Sequence, residues 1–213
     1  MVNMISKTKS EQLFEKFCRV HNIRYRPIPV STERMPDYDI FIKRRKVLVE
    51  VKQIDPNSKE QEKITEFTKS GKVSIKSRLG KRVRGKIIDA QGKFRKRMKN
   101  RYPSILVLYN NVALYKHTEP KDILAGMYGQ LCFPGMPNLP IGNMELGPKR
   151  TMTEITNTSI SALGVLKEDN YGNPLLTVYH NIWAKVPLHP DLLSRSPIKQ
   201  YSIAPGLDWQ VVN

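Results

Sequence analysis

The chain has few cysteines and no long apolar run, and both shortages limit what it can be. Its 213 residues include only Cys18 and Cys132, which stand far apart and in no C-x-x-C motif. This excludes a disulfide scaffold and a cysteine zinc site. The longest apolar runs are about eight residues, against the roughly 20 needed to span a bilayer, and residues 1–10 lack the apolar stretch of a signal peptide. We therefore expect a soluble, cytoplasmic protein with no membrane contact.

Acidic residues are also scarce, and the shortage is confined to the first half of the chain. The sequence has 36 Lys and Arg against 19 Asp and Glu, a formal net charge of +17. Residues 1–101 hold 28 basic and 11 acidic residues, whereas residues 102–213 hold 8 of each. Because Lys and Arg bind phosphates and release condensed counterions, a nucleic acid is the expected partner. The alternative is a basic surface kept for solubility, and charge alone does not distinguish DNA from RNA.

Hydrophobic periodicity predicts a single α/β domain over residues 1–213, with a mixed central sheet flanked by helices. The predicted elements are a helix over 10–21 with Ser10 as N-cap, an edge strand over 24–30, a hairpin over 38–42 and 47–51, a helix over 81–101, a buried strand over 104–109, a helix over 120–131 and a second hairpin over 160–166 and 175–182. Residues 54–80 have no clear period, and we expect a mobile insertion there, partly helical from Ser58 to Lys69. Residues 133–150, rich in Pro and Gly, are expected to form an irregular loop.

The first predicted hairpin brings acidic side chains close to a lysine. Strand alternation places the valines at 47, 49 and 51 in the core, and Glu50 and Lys52 on the opposite face. A turn about the bond between residues 43 and 44 puts Asp37 opposite Glu50, with Cβ atoms about 5 Å apart. A turn centred on residues 44 and 45 instead pairs Asp37 with Lys52 and Asp39 with Glu50. Both registers cluster acids with one lysine, and Asp39 is expected to be an exposed strand residue outside the site.

Two facing carboxylates repel each other unless a cation lies between them. A Mg²⁺ ion takes one or two carboxylates, a backbone carbonyl and several waters. Asp37, Glu50 and the carbonyl of Val51 could supply these ligands, with Mn²⁺ as a substitute. Such an ion could activate water and stabilise charge on a phosphate, assisted by the Lys52 ammonium. The alternative is a solvated hairpin face with a surface ion pair.

Pro36-Asp37, a hairpin turn and then Glu50-Val51-Lys52 resemble the signature of the PD-(D/E)XK nuclease superfamily, which has the restriction endonuclease-like fold. The predicted elements over residues 8–110 are similar to the family's α-β-β-β-α-β core, and residues 111–213 would be a C-terminal extension with a hairpin. The resemblance implies a Mg²⁺-dependent deoxyribonuclease, expected to be an endonuclease, with Asp37 and Glu50 as metal ligands and Lys52 as the catalytic lysine. Cutting both strands usually requires two active sites, so a homodimer is plausible.

The resemblance extends to two further catalytic candidates. Many members of the superfamily carry a glutamate on the first helix, and Glu11 matches it best, although it could simply complement the helix dipole. Gln91 interrupts the apolar stripe of the basic helix, where some related nucleases place a residue near the metal or the scissile phosphate; the alternative is a half-exposed border residue.

The basic helix also carries the nucleic-acid-binding candidates, which are Arg82, Arg84, Lys86 and Lys93. Their side chains could follow the DNA backbone, or they could form an ordinary solvated helix face.

Two functions other than catalysis are compatible with this pattern. A nucleic-acid-binding module of the same fold would need only the basic charge, and its acids would be incidental. A structural subunit of a ribonucleoprotein is the third reading. Cleavage in the presence of a divalent metal separates the nuclease from both.

Overall fold

The computed structural model describes residues 7–29, 34–95, 102–132, 145–194, 198–203 and 209–212. The helices within them are α1 (Lys9–Val20), α2 (Ser58–Ser70), α3 (Lys81–Arg95) and α4 (Pro120–Tyr128). The strands are β1 (Arg24–Pro27), β2 (Tyr38–Ile42), β3 (Arg45–Ile54), β4 (Ser104–Asn110), β5 (Leu131–Cys132), β6 (Glu145–Leu146), β7 (Ala162–Glu168), β8 (Pro174–His180), β9 (Lys199–Ile203) and β10 (Trp209–Val211). The chain therefore has the mixed α/β architecture that its periodicity predicts.

Eight of these strands form one sheet, in the spatial order β1-β2-β3-β4-β7-β8-β9-β10, and β5 pairs with β6 separately. β4 pairs in parallel with both β3 and β7, and β8 pairs in parallel with β9, while the other neighbours are antiparallel. β4 is buried along almost its whole length, as its continuous apolar sequence predicts. β1 lies at an edge, where its proline removes no hydrogen bond from a central ladder.

Helices cover both faces of the sheet, and this places the functional candidates. α1 packs Phe14 and Phe17 against one face, together with the valines of β3. α3 and α4 pack against the other face, where Leu48 and Leu106 are fully buried. α3 buries Val83, Ile87, Ala90 and Phe94, which is the predicted apolar stripe. The face of β3 that carries Glu50 therefore lies beneath a helix and is not a solvated hairpin face.

The β2–β3 hairpin closes through a two-residue turn, Lys43-Arg44, in which both residues have positive φ, 47° and 64°. A type I′ hairpin turn requires this conformation, although it costs a residue with a Cβ about 1 kcal/mol or more. The Lys43 ammonium donates to the carbonyl of Asp191 and, at 3.3 Å, to the hydroxyl of Ser194, which anchors the turn. Tyr38 pairs with Val49, so the turn selects the first of the two predicted registers.

Most predicted elements of the first half are confirmed, with shifted ends. α1 begins earlier than expected, because Thr8 is its N-cap and Ser10 lies inside the helix. α2 confirms the helical part of the 54–80 insertion. α3 runs to Arg95, and the rest of its predicted span, from 96 to 101, lies outside the described residues.

The second half differs more from expectation. α4 ends at Tyr128, because Gly129 has positive φ and Leu131 already belongs to β5. β5 and β6 flank the predicted irregular loop, of which residues 133–144 lie outside the described residues. The second hairpin is confirmed by the antiparallel pairing of β7 with β8. β9 and β10, which extend the sheet beyond this hairpin, were not predicted.

Candidate active site

The β2–β3 hairpin holds Asp37 and Glu50 opposite each other. The backbone N–H of Val51 donates to Oδ2 of Asp37 at 2.8 Å, which fixes this carboxylate across the hairpin. Glu50 is fully buried, whereas Asp37 keeps about a quarter of its side chain exposed, at 23%. One carboxylate is therefore shielded by the fold while the other remains accessible from solvent.

Two lysines converge on Glu50. Nζ of Lys52 lies 2.8 Å and Nζ of Lys93 lies 2.6 Å from Oε1 of Glu50. Both contacts are close ion pairs. Nζ of Lys93 is also 3.4 Å from Oδ1 of Asp37. The Lys93 ammonium therefore bridges the two carboxylates, and it comes from α3 and not from the hairpin.

Burial and the neighbouring charges shift the pKa values of Glu50 and Lys93. Burial raises the pKa of Glu50, the neighbouring charge of Asp37 raises it further, and the contacts with Lys52 and Lys93 only partly offset this. Burial alone would lower the pKa of Lys93, but Glu50 and Asp37 outweigh it and the net shift is upward. Lys93 therefore stays a cation across the physiological range. A buried acid with a raised pKa beside a paired lysine is typical of functional sites.

The oxygen donors of this cluster are of the kind that a hard divalent cation takes. Oε2 of Glu50 is buried and accepts no hydrogen bond from any residue that the structure describes. A buried carboxylate oxygen without a partner is costly, and a cation would satisfy it. Asp37, Glu50 and the Val51 carbonyl suit Mg²⁺, which keeps several waters. No group of three or more His, Cys, Asp or Glu side chains suited to a metal occurs within the described ranges, so water would complete the shell.

Three of the four basic candidates on α3 face the carboxyl half of β3. Arg82 donates to the carbonyl of Asp55, and Lys93 reaches Glu50. Lys86 lies between them: burial lowers its pKa, and the charges of Lys52 and Arg82 lower it further against the opposing effect of nearby acids. These three side chains form a basic stripe along one side of α3, beside the carboxylates.

The fourth basic candidate, Arg84, forms hydrogen bonds within the fold. Its guanidinium donates to the carbonyl of Ala125 at 2.9 Å and to that of Leu79 at 3.1 Å. These bonds join α3 to α4 and to the turn before α3, so the side chain serves packing.

Glu11 also has a local structural role. Its Oε2 accepts hydrogen bonds from the backbone N–H and the hydroxyl of Thr8, both at 2.7 Å, while Thr8 Oγ1 accepts from the Glu11 N–H at 3.3 Å. This is a capping box at the start of α1. The structure therefore favours the alternative in which Glu11 completes the helix end. Gln91 is half-buried on α3, and within the described ranges it forms no hydrogen bond with Asp37, Glu50 or Lys52.

Asp39 was expected to be exposed, and that expectation is wrong. Its side chain is fully buried and pairs with Nη2 of Arg26 at 2.6 Å and Nζ of Lys46 at 2.9 Å. Burial acts to raise the pKa of Asp39, but these two cations outweigh it and the net shift is downward. Asp39 remains outside the candidate site, because its ion pairs link β1, β2 and β3 to each other.

Sequence reasoning assigned Lys93 to phosphate binding along the helix and missed its contact with the carboxylates. A signal was available: Lys86 and Lys93 immediately precede Ile87 and Phe94, two residues of the buried stripe. Both lysines therefore border the face of α3 that packs on the sheet.

Comparison of the chain with protein-family models, with curated proteins and with solved structures finds no match in any of the three. The function must therefore be inferred from the geometry of the site.

No helix in the described part of the chain has the length and apolar content required to cross a membrane.

Proposed function

We propose that the protein is a divalent-metal-dependent nuclease that hydrolyses phosphodiester bonds in DNA, with a restriction endonuclease-like fold and the motif of the PD-(D/E)XK superfamily. The observation that carries this proposal is the convergence of Asp37, Glu50, Lys52 and Lys93 at one point of the sheet. Glu50 of this acid pair is fully buried, whereas Asp37 is partly exposed. A simple surface ion pair would not bury one of its carboxylates in this way.

The order of elements supports the proposal. α1, β1, β2, β3, α3 and β4 follow one another in the α-β-β-β-α-β order expected of the superfamily core, with α2 inserted before α3. The parallel pairing of β3 with β4 brings α3 back across the face of β3 that carries Glu50. The basic stripe of α3 therefore lies where a phosphate backbone could approach the carboxylates.

Each residue of the cluster has a distinct proposed role. Asp37, Glu50 and the Val51 carbonyl would hold Mg²⁺ or Mn²⁺, which when bound supplies positive charge and a water of lowered pKa. Lys52, partly exposed beside Glu50, would orient that water and offset charge on the phosphate. The Lys93 ammonium would compete with the ion for the carboxylates and, once released, add positive charge beside the phosphate.

The test is cleavage of plasmid, linear and branched DNA, and of RNA, with Mg²⁺ or Mn²⁺. Glu50→Gln keeps the shape of the side chain and Lys52→Ala removes only the ammonium and its stem, so we expect each to lower the rate by about 100-fold or more. Lys69→Ala, at an exposed position of α2, is the control and should retain activity. Undiminished cleavage by the Glu50 and Lys52 variants would contradict the assignment.

A second candidate function is a nucleic-acid-binding module without catalysis. The observation in its favour is that Lys52 and Lys93 already offset the charge of Glu50 without an ion. Binding that ignores divalent metal, with no product from any of these substrates, would favour the module.

A further inference from the structure

A second concentration of positive charge surrounds a cavity beyond the candidate active site, where α2 and α3 begin. The cavity has a volume of about 410 Å³, large enough for the phosphate and sugar of a nucleotide. Five cationic side chains line it, from the start of α2, the segment before α3 and the start of α3: Lys59, Lys76, Arg78, Lys81 and Arg82. A concave site with this surplus of cations is suited to an anion.

The single carboxylate in the cavity wall, Glu60, is already compensated. Its Oε1 lies 2.8 Å from Nε2 of the buried His117, and its Oε2 accepts the backbone N–H of Asn57 at 2.8 Å. Nη2 of Arg82 lies 3.7 Å from the same Oε2. Glu60 therefore joins α2 to the segment after β4 and holds the wall of the cavity in place.

The other cations of the cavity are not neutralised in this way. Across the residues that the structure describes, no ion pair links Lys59, Lys76, Arg78 or Lys81 to a carboxylate. The Nε atom of Arg82 is buried and has no hydrogen-bond partner among those same residues. These four side chains therefore bring positive charge to the cavity wall that no carboxylate among the described residues neutralises.

The basic stripe of α3 runs from the cavity to the candidate active site. Arg82 stands in the cavity wall and donates to the carbonyl of Asp55, and the same side of α3 carries Lys86 and then Lys93. From residue 82 to residue 93 a helix rises about 16 Å. One strand of a duplex advances about 3.4 Å per nucleotide, so this distance corresponds to about five nucleotides.

We propose that this cavity binds a phosphate group of the DNA strand, about five nucleotides from the bond at the candidate active site. The identification of DNA as the bound polymer rests on the proposed function. The identification of a phosphate as the bound group rests on the cavity alone. The phosphate could be a terminal monoester or a backbone diester, since both present the same oxygens to the lysines and arginines.

Binding in the presence of EDTA tests the inference without depending on hydrolysis. A fluorescent DNA duplex is titrated with the full chain, and anisotropy is recorded over a range of salt concentrations. The test variant is Lys76→Ala/Arg78→Ala, and the matched control is Lys69→Ala/Lys72→Ala, which removes the same charge at exposed positions outside the cavity lining. We expect about a tenfold loss of affinity in the test variant, with a salt slope smaller by about 1, and a loss below about threefold in the control.

Duplexes with a 5′-phosphate, with a 3′-phosphate and without terminal phosphates distinguish the sources. A preference for one phosphorylated end that disappears in Lys76→Ala/Arg78→Ala identifies a terminal monoester, whereas equal weakening on all three duplexes identifies a backbone diester. Equal losses in the test and control variants, or no binding by the wild type, would overturn the inference. Neither result bears on cleavage by the Glu50 and Lys52 variants, so the two proposals fail separately.

Discussion

Nζ of Lys93, on α3, lies 2.6 Å from Oε1 of Glu50, on β3, and 3.4 Å from Oδ1 of Asp37. A helix that follows the hairpin by some 30 residues therefore supplies the charge between the two carboxylates of that hairpin. Like charges in one site oppose each other's ionisation, and an ammonium between them offsets this. A divalent cation that uses both carboxylates must therefore compete with Lys93.

Replacing Lys93 by Met should tighten the binding of Mn²⁺ in the absence of DNA. The thioether chain keeps the apolar stem but removes the competing charge, and we expect about a tenfold gain in affinity, equivalent to about 1.4 kcal/mol. Isothermal titration calorimetry measures it directly. Lys69→Met, on the exposed side of α2, should bind Mn²⁺ like the wild type. Equal affinities in all three proteins would show that Lys93 and Mn²⁺ do not compete for the same carboxylates.

Replacing Glu50 by Gln should stabilise the fold at neutral pH, although the same change should slow cleavage. Burial raises the pKa of Glu50 above its ordinary value of 4.5, so the folded chain holds this proton more tightly than the unfolded chain. Above this raised pKa, Glu50 is charged in the folded chain, and its charge lowers the free energy of unfolding. This penalty disappears as the pH falls toward 4.5, because Glu50 then binds its proton in the folded chain.

Urea denaturation from pH 4 to pH 8 with a chelator present measures this difference. The advantage of Glu50→Gln over the wild type should be full near pH 8 and should shrink as the pH falls. A variant less stable than the wild type at neutral pH would mean that the ion pairs with Lys52 and Lys93 outweigh the cost of burial.

Replacing Asp39 by Asn should have the opposite effect on stability. Arg26 and Lys46 hold the pKa of the buried Asp39 below its ordinary value of 3.8. Its contribution is therefore present above pH 3.8 and is lost as the pH falls through the depressed pKa. At pH 7 the variant should lose about 3 kcal/mol in the free energy of unfolding, because it leaves Lys46 half-buried and unpaired.

Glu66→Gln is the matched control for this change, because Glu66 pairs with Lys63 at 2.5 Å on an exposed face of α2. An exposed pair of this kind contributes about 0.5 kcal/mol or less. Similar losses in both variants would show that the ion pairs of Asp39 are no stronger than surface ones.

Adding a methyl group to Gly126 should separate α3 from α4. A Cβ at this position would lie 2.7 Å from the Cβ of Val83, which is itself fully buried. We expect Gly126→Ala to cost about 1–3 kcal/mol of stability, the usual effect of overpacking. Gly85→Ala on α3 is the control, since nothing lies within 4 Å of its added Cβ. Removing a helix-interior glycine should stabilise that variant by about 0.5–1 kcal/mol. Thermal denaturation of the two variants should therefore give shifts of opposite sign.

The hairpin was the most predictable part of the site. Alternation of apolar residues defines its strands, and the four-residue stretch between them leaves only two registers for Asp37 and Glu50. The choice between the registers depended on two residues, Lys43 and Arg44, adopting positive φ. Neither residue type favours that conformation, so the sequence left both registers open.

Burial by neighbouring elements was the harder part. Asp39 alternates with apolar residues and looks exposed, but Arg26 and Lys46 cover it once β1 joins the sheet. The contact of Lys93 with the carboxylates could be predicted only by knowing which side of α3 faces β3. The sequence Thr8-x-x-Glu11 is the signature of a capping box and could have identified the role of Glu11. It was missed because Ser10 was assigned as the N-cap.

The parallel pairing of β3 with β4 has a consequence for the order in which the cluster assembles. A hairpin with a two-residue turn forms within microseconds, whereas parallel strands meet only after the intervening crossover, here α2 and α3, has closed. The acids of the hairpin should therefore come together first, and the α3 lysine should join them in a later and slower step. Until the α3 lysine arrives, Lys52 on the same strand is the hairpin cation that offsets the charge of Glu50. A cation bound between the acids at that stage would stabilise the hairpin before it serves any reaction.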